Sequence, residues 1–415
     1  MIQITKSAEL KNANSAALGG LVKFGPWRRR IVRLVDTVLG PIVSALGHLR
    51  VLASPDASAE VSSILVVEYW NLGDIVMLSP FLQNLRTQYP EAYIVLLASP
   101  KTAPLLAQQN VVDEIIYARI PWAQHYSRWK KYNPFSRLWI ELPLTLNFLR
   151  KRRFDLGFTA RADLRDNFML WFAAVRRRIG YSFGGGGYFL TDQVVPDLRH
   201  PHWANRWLRL LEHLGKPVLA REPHLNLSTE ERLDAEKILE ELGVESGDFL
   251  VGVHPGARSI TRQWGKDNFM EVARRLCDRF PIKIIWFQEP NQDLSIRIDS
   301  QFLPLSLPLR QFMAVLSQCS LFLCNDSGPM HIATALGVPA VAIFGPGDPA
   351  WYGPLGPNNQ VVIRPGFWCR SCLDYCLFDQ PYCLRTIGVQ DVYEASARSI
   401  EALLVKQVQP DQVPT

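Results

Sequence analysis

The sequence predicts an α/β protein built from two Rossmann-like domains with a cleft between them. Three observations carry this expectation. Two successive series of apolar strands and helical patterns, of similar size, follow one another along the chain. In each series polar or charged loops come directly after the apolar runs, where open α/β sheets bind their ligands. Residues 321–356 (LFLCNDSGPMHIATALGVPAVAIFGPGDPAWYGPLG) read as strand, polar turn, helix, strand and Gly/Pro turn, the unit of a parallel sheet.

In chain order, residues 1–60 form an N-terminal extension. After Trp27, Arg28, Arg29 and Arg30, the residues Ile31, Leu34, Val35, Val38, Leu39, Ile42, Ala45, Leu46 and Leu49 recur at helical spacing, with Pro41 as a kink. A basic amphipathic helix of this kind fits a membrane interface, or else packs on the protein's own core or a partner subunit. The first domain, 61–220, opens with a strand at 64–67, the loop 68–74 and a helix from about 75 to 89 that Pro90 ends. Strands follow at 93–98, 114–117 and 155–159. Two more, at 178–181 and 193–195, flank the glycines 184–187, and helices cover 138–152 and 205–214. The second domain, 221–390, places helices at 229–242, 266–279, 309–318 and 330–336, and strands at 249–253, 283–287, 321–324 and 338–344. A C-terminal helix and tail complete the chain at 391–415, with helical pattern from 389 to 405.

The chain has 415 residues, 48% hydrophobic and 20% charged, an ordinary globular composition with enough apolar material for two cores. The net charge of +6 is unevenly spread: between Arg119 and Arg153 nine Lys/Arg face one acid, Glu141. Such a face suits an anionic partner (lipid headgroups, a phosphorylated saccharide or nucleic acid), or is simply solvated. The first twenty residues lack the apolar core of a secretory signal, and no run of about 18 apolar residues suggests a spanning helix. An intracellular, reducing compartment is therefore expected for the cysteines.

Five loops lie beyond the carboxyl ends of the expected strands, at 68–74, 159–166, 254–263, 288–293 and 325–331. Asp74, at a helix start, reads as an N-cap or as a general base. Arg258 and Arg262 read as a clamp for a diphosphate or as members of a surface loop. The turn Asn325-Asp326-Ser327-Gly328 offers backbone N–H groups and a helix N-terminus to an anion, and His331 in that helix packs or contacts phosphate. The spacing Cys369-x2-Cys372-x3-Cys376-x6-Cys383 fits structural zinc, an iron–sulfur cluster, free thiols or two local disulfides. No Walker A, HExxH or GxSxG motif is present.

In order, ILVVEYWNLGDIVMLSPFLQNLRTQYP, RIGYSFGGGGYFLTD, HWANRWLRLLEHLG, VGVHPGARSITRQW and CNDSGPMHIATALGVPAVAIFGPGDPAWYGPLG resemble glycosyltransferase family 9, the lipopolysaccharide heptosyltransferase family. The likeness covers about residues 62–400. It implies a GT-B fold and an inverting, metal-independent transfer from a nucleotide-diphosphate sugar used as substrate, with no cofactor. ADP-heptose is the donor of the best-known members, and other deoxy- or amino-sugar donors are compatible. The resemblance makes Asp74 the general base. It assigns the donor to His254, Gly256, Arg258, Arg262, Asp326, Ser327, Gly328 and His331, with Glu289 or Asp293 at the ribose. Arg262 stands where the family usually has Lys. The acceptor, a glycolipid or oligosaccharide, falls to Arg161, Asp163 and Arg165, and residues 122–139 add to the acceptor or membrane face. The implied location is the cytoplasmic side of an inner membrane, in peripheral contact with it and without nucleic acid. The four clustered cysteines have partial counterparts in the family, which favours a structural role. Two other readings stand beside this one: a non-catalytic, membrane-associated GT-B binding module, and a metal- or redox-sensing protein built on the cysteines.

Overall fold

The computed structural model describes residues 60–122, 133, 135–288, 301–373 and 376–408, with some positions between Arg30 and Val43. The chain divides into two compact units, Met1–Ala103 with Asn110–Arg221, and Pro104–Gln109 with Glu222–Thr415. The first unit holds strands β1 (Ser63–Val67), β2 (Tyr93–Ala98), β3 (Glu114–Tyr117), β4 (Leu156–Thr159), β5 (Arg177–Gly180) and β6 (Asp192–Gln193). Its main helices are α1 (Leu72–Gln88), α2 (Arg137–Arg152), α3 (Leu164–Phe172) and α4 (Trp203–His213). The second unit holds helices α5 (Thr229–Glu241), α6 (Lys266–Arg279), α7 (Leu309–Leu316), α8 (Gly328–Ala335) and α9 (Val389–Val408). Its strands are β7 (Phe249–His254), β8 (Ile282–Phe287), β9 (Phe302–Leu305), β10 (Leu321–Asn325), β11 (Ala340–Phe344) and β12 (Gln360–Ile363).

Each unit builds one six-stranded sheet, ordered β3-β2-β1-β4-β5-β6 in the first and β12-β11-β10-β7-β8-β9 in the second. Every neighbouring pair is parallel. Counted from its own first strand, the second sheet repeats the order of the first, 3-2-1-4-5-6, which is the Rossmann order. This is the doubled Rossmann-like architecture expected of a GT-B chain. Strands covered on both faces read as continuous apolar runs. Accordingly Ile64 to Val67 of β1, and all of β10 and β11, are buried. In the first unit Leu65, Val67, Val95 and Leu97 pack with Leu142, Leu146, Leu149, Met169 and Leu170 from α2 and α3. In the second, Val251, Val253, Ile284, Leu323 and Ile343 pack with Val272, Val392 and Ile400 from α6 and α9.

Three of the elements named above escaped the sequence reading. The β9 tetrapeptide FLPL carries Pro304, which argues against a strand. It is tolerated because β9 is an edge strand of its sheet. At the other edge β12 is only four residues long and half-buried, too short to register as a pattern. Helix α3 begins inside the stretch read as a loop, with Asp163 as its N-cap accepting from the Arg165 N–H at 2.9 Å. In the extension, the described positions between Arg30 and Val43 are helical, and Asp36 Oδ1 accepts from the Gly186 N–H at 3.0 Å. That is a contact with the protein's own glycine-rich loop. The other positions of the expected membrane helix lie outside the described residues. The same loop closes on the segment after β4 at Gly184, where a Cβ would fall 1.6 Å from the Ala162 carbonyl oxygen.

Candidate active site

A sheet in Rossmann order has one point where successive connections leave in opposite directions. It lies between β1 and β4 in the first unit and between β7 and β10 in the second. The loops after those four strands carry most of the residues singled out from the sequence.

In the first unit, β1 ends at Val67, Glu68 follows it, and α1 starts at Leu72, with Asn71 as its N-cap. Asp74 is therefore not the cap but the third helical residue. Its Oδ2 accepts from the Asn71 N–H and the Asn71 side-chain amide, both at 3.0 Å, the return arm of a capping box. Its Oδ1 lies 2.7 Å from Arg161 Nη2, on the loop after β4. Arg161 also reaches Glu68, with Nε 3.5 Å from Oε1. Stacking fixes this guanidinium, which sits over the Trp70 ring at 4.4 Å and over Trp203 at 4.8 Å. Arg206 also lies over the Trp203 ring, at 4.2 Å, and its Nη2 donates to the Ala160 carbonyl at 3.0 Å. Tryptophan and arginine thus alternate, and Arg161 is held with little rotamer freedom.

Two further carboxyls are buried beside Asp74. Glu68 is wholly buried; its Oε1 accepts from the Trp70 N–H at 3.2 Å, and its Oε2 has no partner among the described residues. Burial pushes its pKa up to about 7, with Arg161 opposing the rise and Asp74 adding to it. Asp166, in α3, is raised well above its ordinary value by burial and by the charge of Glu68. It accepts from the Tyr69 hydroxyl, which in turn accepts from Trp122 Nε1 at 2.9 Å. Burial and mutual repulsion therefore both favour the neutral acid forms of Glu68 and Asp166, while Arg161 favours the charged form of Glu68. Asp163 and Arg165 pair with each other at 2.5 Å, and Arg165 lies over Trp122 at 5.4 Å.

In the second unit, β10 delivers Asn325 and Asp326, both buried. Asn325 Nδ2 donates to the Pro255 carbonyl at 2.7 Å, and its Oδ1 accepts from the Trp264 N–H at 3.1 Å, tying the loop after β7 to the end of β10. That tie brings Arg262 Nη1 to 3.4 Å from Asp326 Oδ2. Gly347, after β11, is required here, since a Cβ would lie 2.0 Å from Asp326 Oδ2. Ser327 caps α8, Gly328 is its first residue, and Pro329 follows at a position with no N–H to satisfy. The Ser327 hydroxyl is buried without a partner among the described residues. His254, at the end of β7, and His331, in α8, are buried, and the His254 ring packs edge-on to Phe312. Gly256 is half-buried beside them, Arg258 is exposed, and Glu289 and Asp293 lie outside the described residues.

Cys369, Cys372, Cys376 and Cys383 form no disulfide. Burial and the three neighbouring thiols push Cys372 up to about 11. Among the described residues no group of three or more His, Cys, Asp or Glu side chains is placed to hold a metal ion.

The loops were legible in the sequence, but Glu68, Asp166, Trp70, Trp203 and Arg206 were not singled out. The available signal was Glu68 itself, a charged residue directly after an all-apolar strand at the switch point.

Known proteins share this fold. The profile of glycosyltransferase family 9 (heptosyltransferase) matches residues 146–382, more than half of the chain. Lipopolysaccharide heptosyltransferase 2 of Salmonella typhimurium is 24% identical over 322 residues, 72% of this chain and 87% of that protein. The glycosyl transferase family 9 structure from Veillonella parvula superposes with a TM-score of 0.69 at 23% identity, covering 85% of this chain and all (100%) of that one. The structure of Escherichia coli ADP-heptose lipopolysaccharide heptosyltransferase II superposes with a TM-score of 0.62 at 22% identity, covering 83% of this chain and 99% of that one.

Proposed function

The chain belongs to glycosyltransferase family 9, the heptosyltransferases, and from that premise we propose that it moves a heptose from ADP-heptose to the lipopolysaccharide core or a related cell-envelope glycan, with inversion and with Asp74 as general base. The observation that carries the reading is the setting of Asp74, a carboxylate at the switch point of the first sheet, held at 2.7 Å by a stacked arginine. In a single displacement the acceptor hydroxyl oxygen attacks the anomeric carbon and its proton passes to Asp74. The bond from that carbon to the diphosphate breaks, and the nucleoside diphosphate leaves with the electron pair. Arg262 and the N-terminus of α8, with Ser327, Gly328 and His331, hold the departing negative charge without a metal ion. His254, Gly256 and Arg258 line the donor side, and Glu289 is assigned to the ribose. Arg161, with Asp163 and Arg165, faces the acceptor. The donor assignment is supported by the name of the superposable Escherichia coli protein, an ADP-heptose enzyme. The acceptor implies work at the cytoplasmic face of an inner membrane, and no helix among the described residues is long and apolar enough to cross one.

The test is transfer by the Asp74→Asn variant, which keeps the shape and removes the base. Loss of a general base costs about 10²–10⁴-fold in rate. ADP should still raise the melting temperature of the variant, because ADP binding is assigned to the second unit. Turnover at the wild-type rate rejects Asp74 as the base. A selective thermal shift with UDP, GDP, CDP or TDP rather than ADP rejects the donor.

A further inference from the structure

We propose that the outward face of α2 is a docking surface for an anionic lipid bilayer. Helix α2 has two apolar stripes. Leu138, Leu142, Leu146 and Leu149 point into the core of the first unit. Ile140, Leu144 and Phe148, spaced by four residues, share the opposite face and are 57%, 66% and 45% exposed. Phe135, just before the helix, is 85% exposed and extends the stripe. An ordinary surface helix carries polar residues on that side; here, among the described residues, the Arg152 guanidinium lies over the Phe148 ring at 4.7 Å, and Ile140 and Leu144 stay more than half exposed.

The charges identify the occupant. The helix ends in Arg150, Lys151 and Arg152, followed by Arg153. Arg152 is bound to Glu114 at 2.6 Å, while Arg150, Lys151 and Arg153 are exposed and have no carboxylate partner among the described residues. The only acid on the helix, Glu141, is already held by Arg137 at 2.5 Å and Arg119 at 3.6 Å. An apolar stripe framed by unneutralised cations matches acyl chains bordered by anionic headgroups. A second copy of the chain fits poorly. A two-fold axis through this stripe would bring the basic end of one helix against the other, whose one acid, Glu141, is already paired with Arg137 and Arg119.

This inference rests on the proposed membrane-borne acceptor, and its test is independent of catalysis. Co-sedimentation of the full chain would be measured with vesicles of phosphatidylcholine alone and with about a third phosphatidylglycerol. The wild-type chain should bind the anionic vesicles and release as salt rises. Leu144→Glu with Phe148→Glu should abolish binding. Arg150→Gln with Lys151→Gln, a change of exposed side chains only, should weaken it about 25-fold, at about fivefold per charge. Wild-type partitioning in both variants overturns the proposal and moves any membrane contact to another part of the chain. A wild-type dimer that both variants convert to monomers, with no vesicle binding, overturns it in favour of a subunit interface. Transfer to a lipid-free acceptor saccharide separates the two claims: unchanged transfer with lost vesicle binding supports docking. Absence of transfer by the wild type counts against the proposed function and leaves the sedimentation result standing.

Discussion

Replacing Glu68 by Gln tests the charge arithmetic of the first-unit site. The wholly buried carboxyl has its pKa raised from 4.5 to about 7 by burial, with Arg161 opposing and Asp74 adding. The folded chain therefore holds this proton more tightly than the unfolded chain does. The contribution is stabilising below the unfolded value and is lost as pH rises through the folded one. A rise of this size corresponds to about 3 kcal/mol, at 1.36 kcal/mol per pH unit, and most of it is lost between pH 5 and pH 8. Gln resembles the protonated acid in shape and keeps an acceptor for the Trp70 N–H. Near pH 5 the variant should thus match the wild type closely. By pH 8 it should gain about 2–3 kcal/mol relative to the wild type, because it never has to hold a buried anion. Removing the charge also relieves Asp166, whose shift includes the charge of Glu68. Urea unfolding of both proteins at half-unit pH steps, followed through the tryptophans of the first unit, measures the difference directly. A wild-type-minus-variant difference that stays constant within about 0.5 kcal/mol from pH 5 to pH 8, on the energy scale just derived, refutes the reasoning.

Arg161→Ala should destabilise the first unit by about 3–5 kcal/mol, because Glu68 and Asp74 lose a buried partner; adding Glu68→Gln should recover part of the loss, read from denaturation midpoints. Arg262→Ala should weaken nucleoside-diphosphate binding by about ten- to a hundredfold, the worth of a charge-assisted bond of 1.5–3 kcal/mol, and calorimetric titration with ADP checks it. Gly347→Ala should push Asp326 away from Arg262 and cost about 1–3 kcal/mol of stability in the second unit; an unshifted melting temperature and ADP affinity would show that the loop after β11 absorbs the methyl group.

The parts of the fold that the sequence made legible were those in which local pattern and tertiary role agree. Strands β1, β2, β7, β8, β10 and β11 lie in the middle of their sheets, are buried over most of their length, and so read as largely apolar runs, Lys283 in β8 being the exception. At the edges, β9 escaped because Pro304 argues against a strand, and β12 because four half-buried residues are too short to register as a pattern. The loops that carry the site were found for the same reason, since each follows a buried strand. The individual partnerships within them were not. No periodicity says that Arg161 will lie between Trp70 and Trp203, residues more than forty positions away in either case, or that Asp166 will share a buried cluster with Glu68. Such pairings come from the parallel register of β1 and β4, in which Ile64 stands opposite Leu156, and register is a property of the assembled sheet.

The two units also show how one topology serves two electrostatic tasks. Both sheets present the same pair of loops at the same switch point. In the first unit those loops bring together Glu68, Asp74 and Asp166 with Arg161, and Arg206 donates to the Ala160 carbonyl and lies over Trp203. In the second, Asp326 is the acid of the corresponding loops, met by Arg262 and placed beside the positive end of α8, with two buried imidazoles at His254 and His331. The first set carries three buried carboxyls and the second a buried acid met by an arginine, so one backbone order frames two different charge balances. The backbone order does not distinguish them. The difference lies in a few side chains directly after β1, β4, β7 and β10, where a parallel sheet can change its chemistry without disturbing its core.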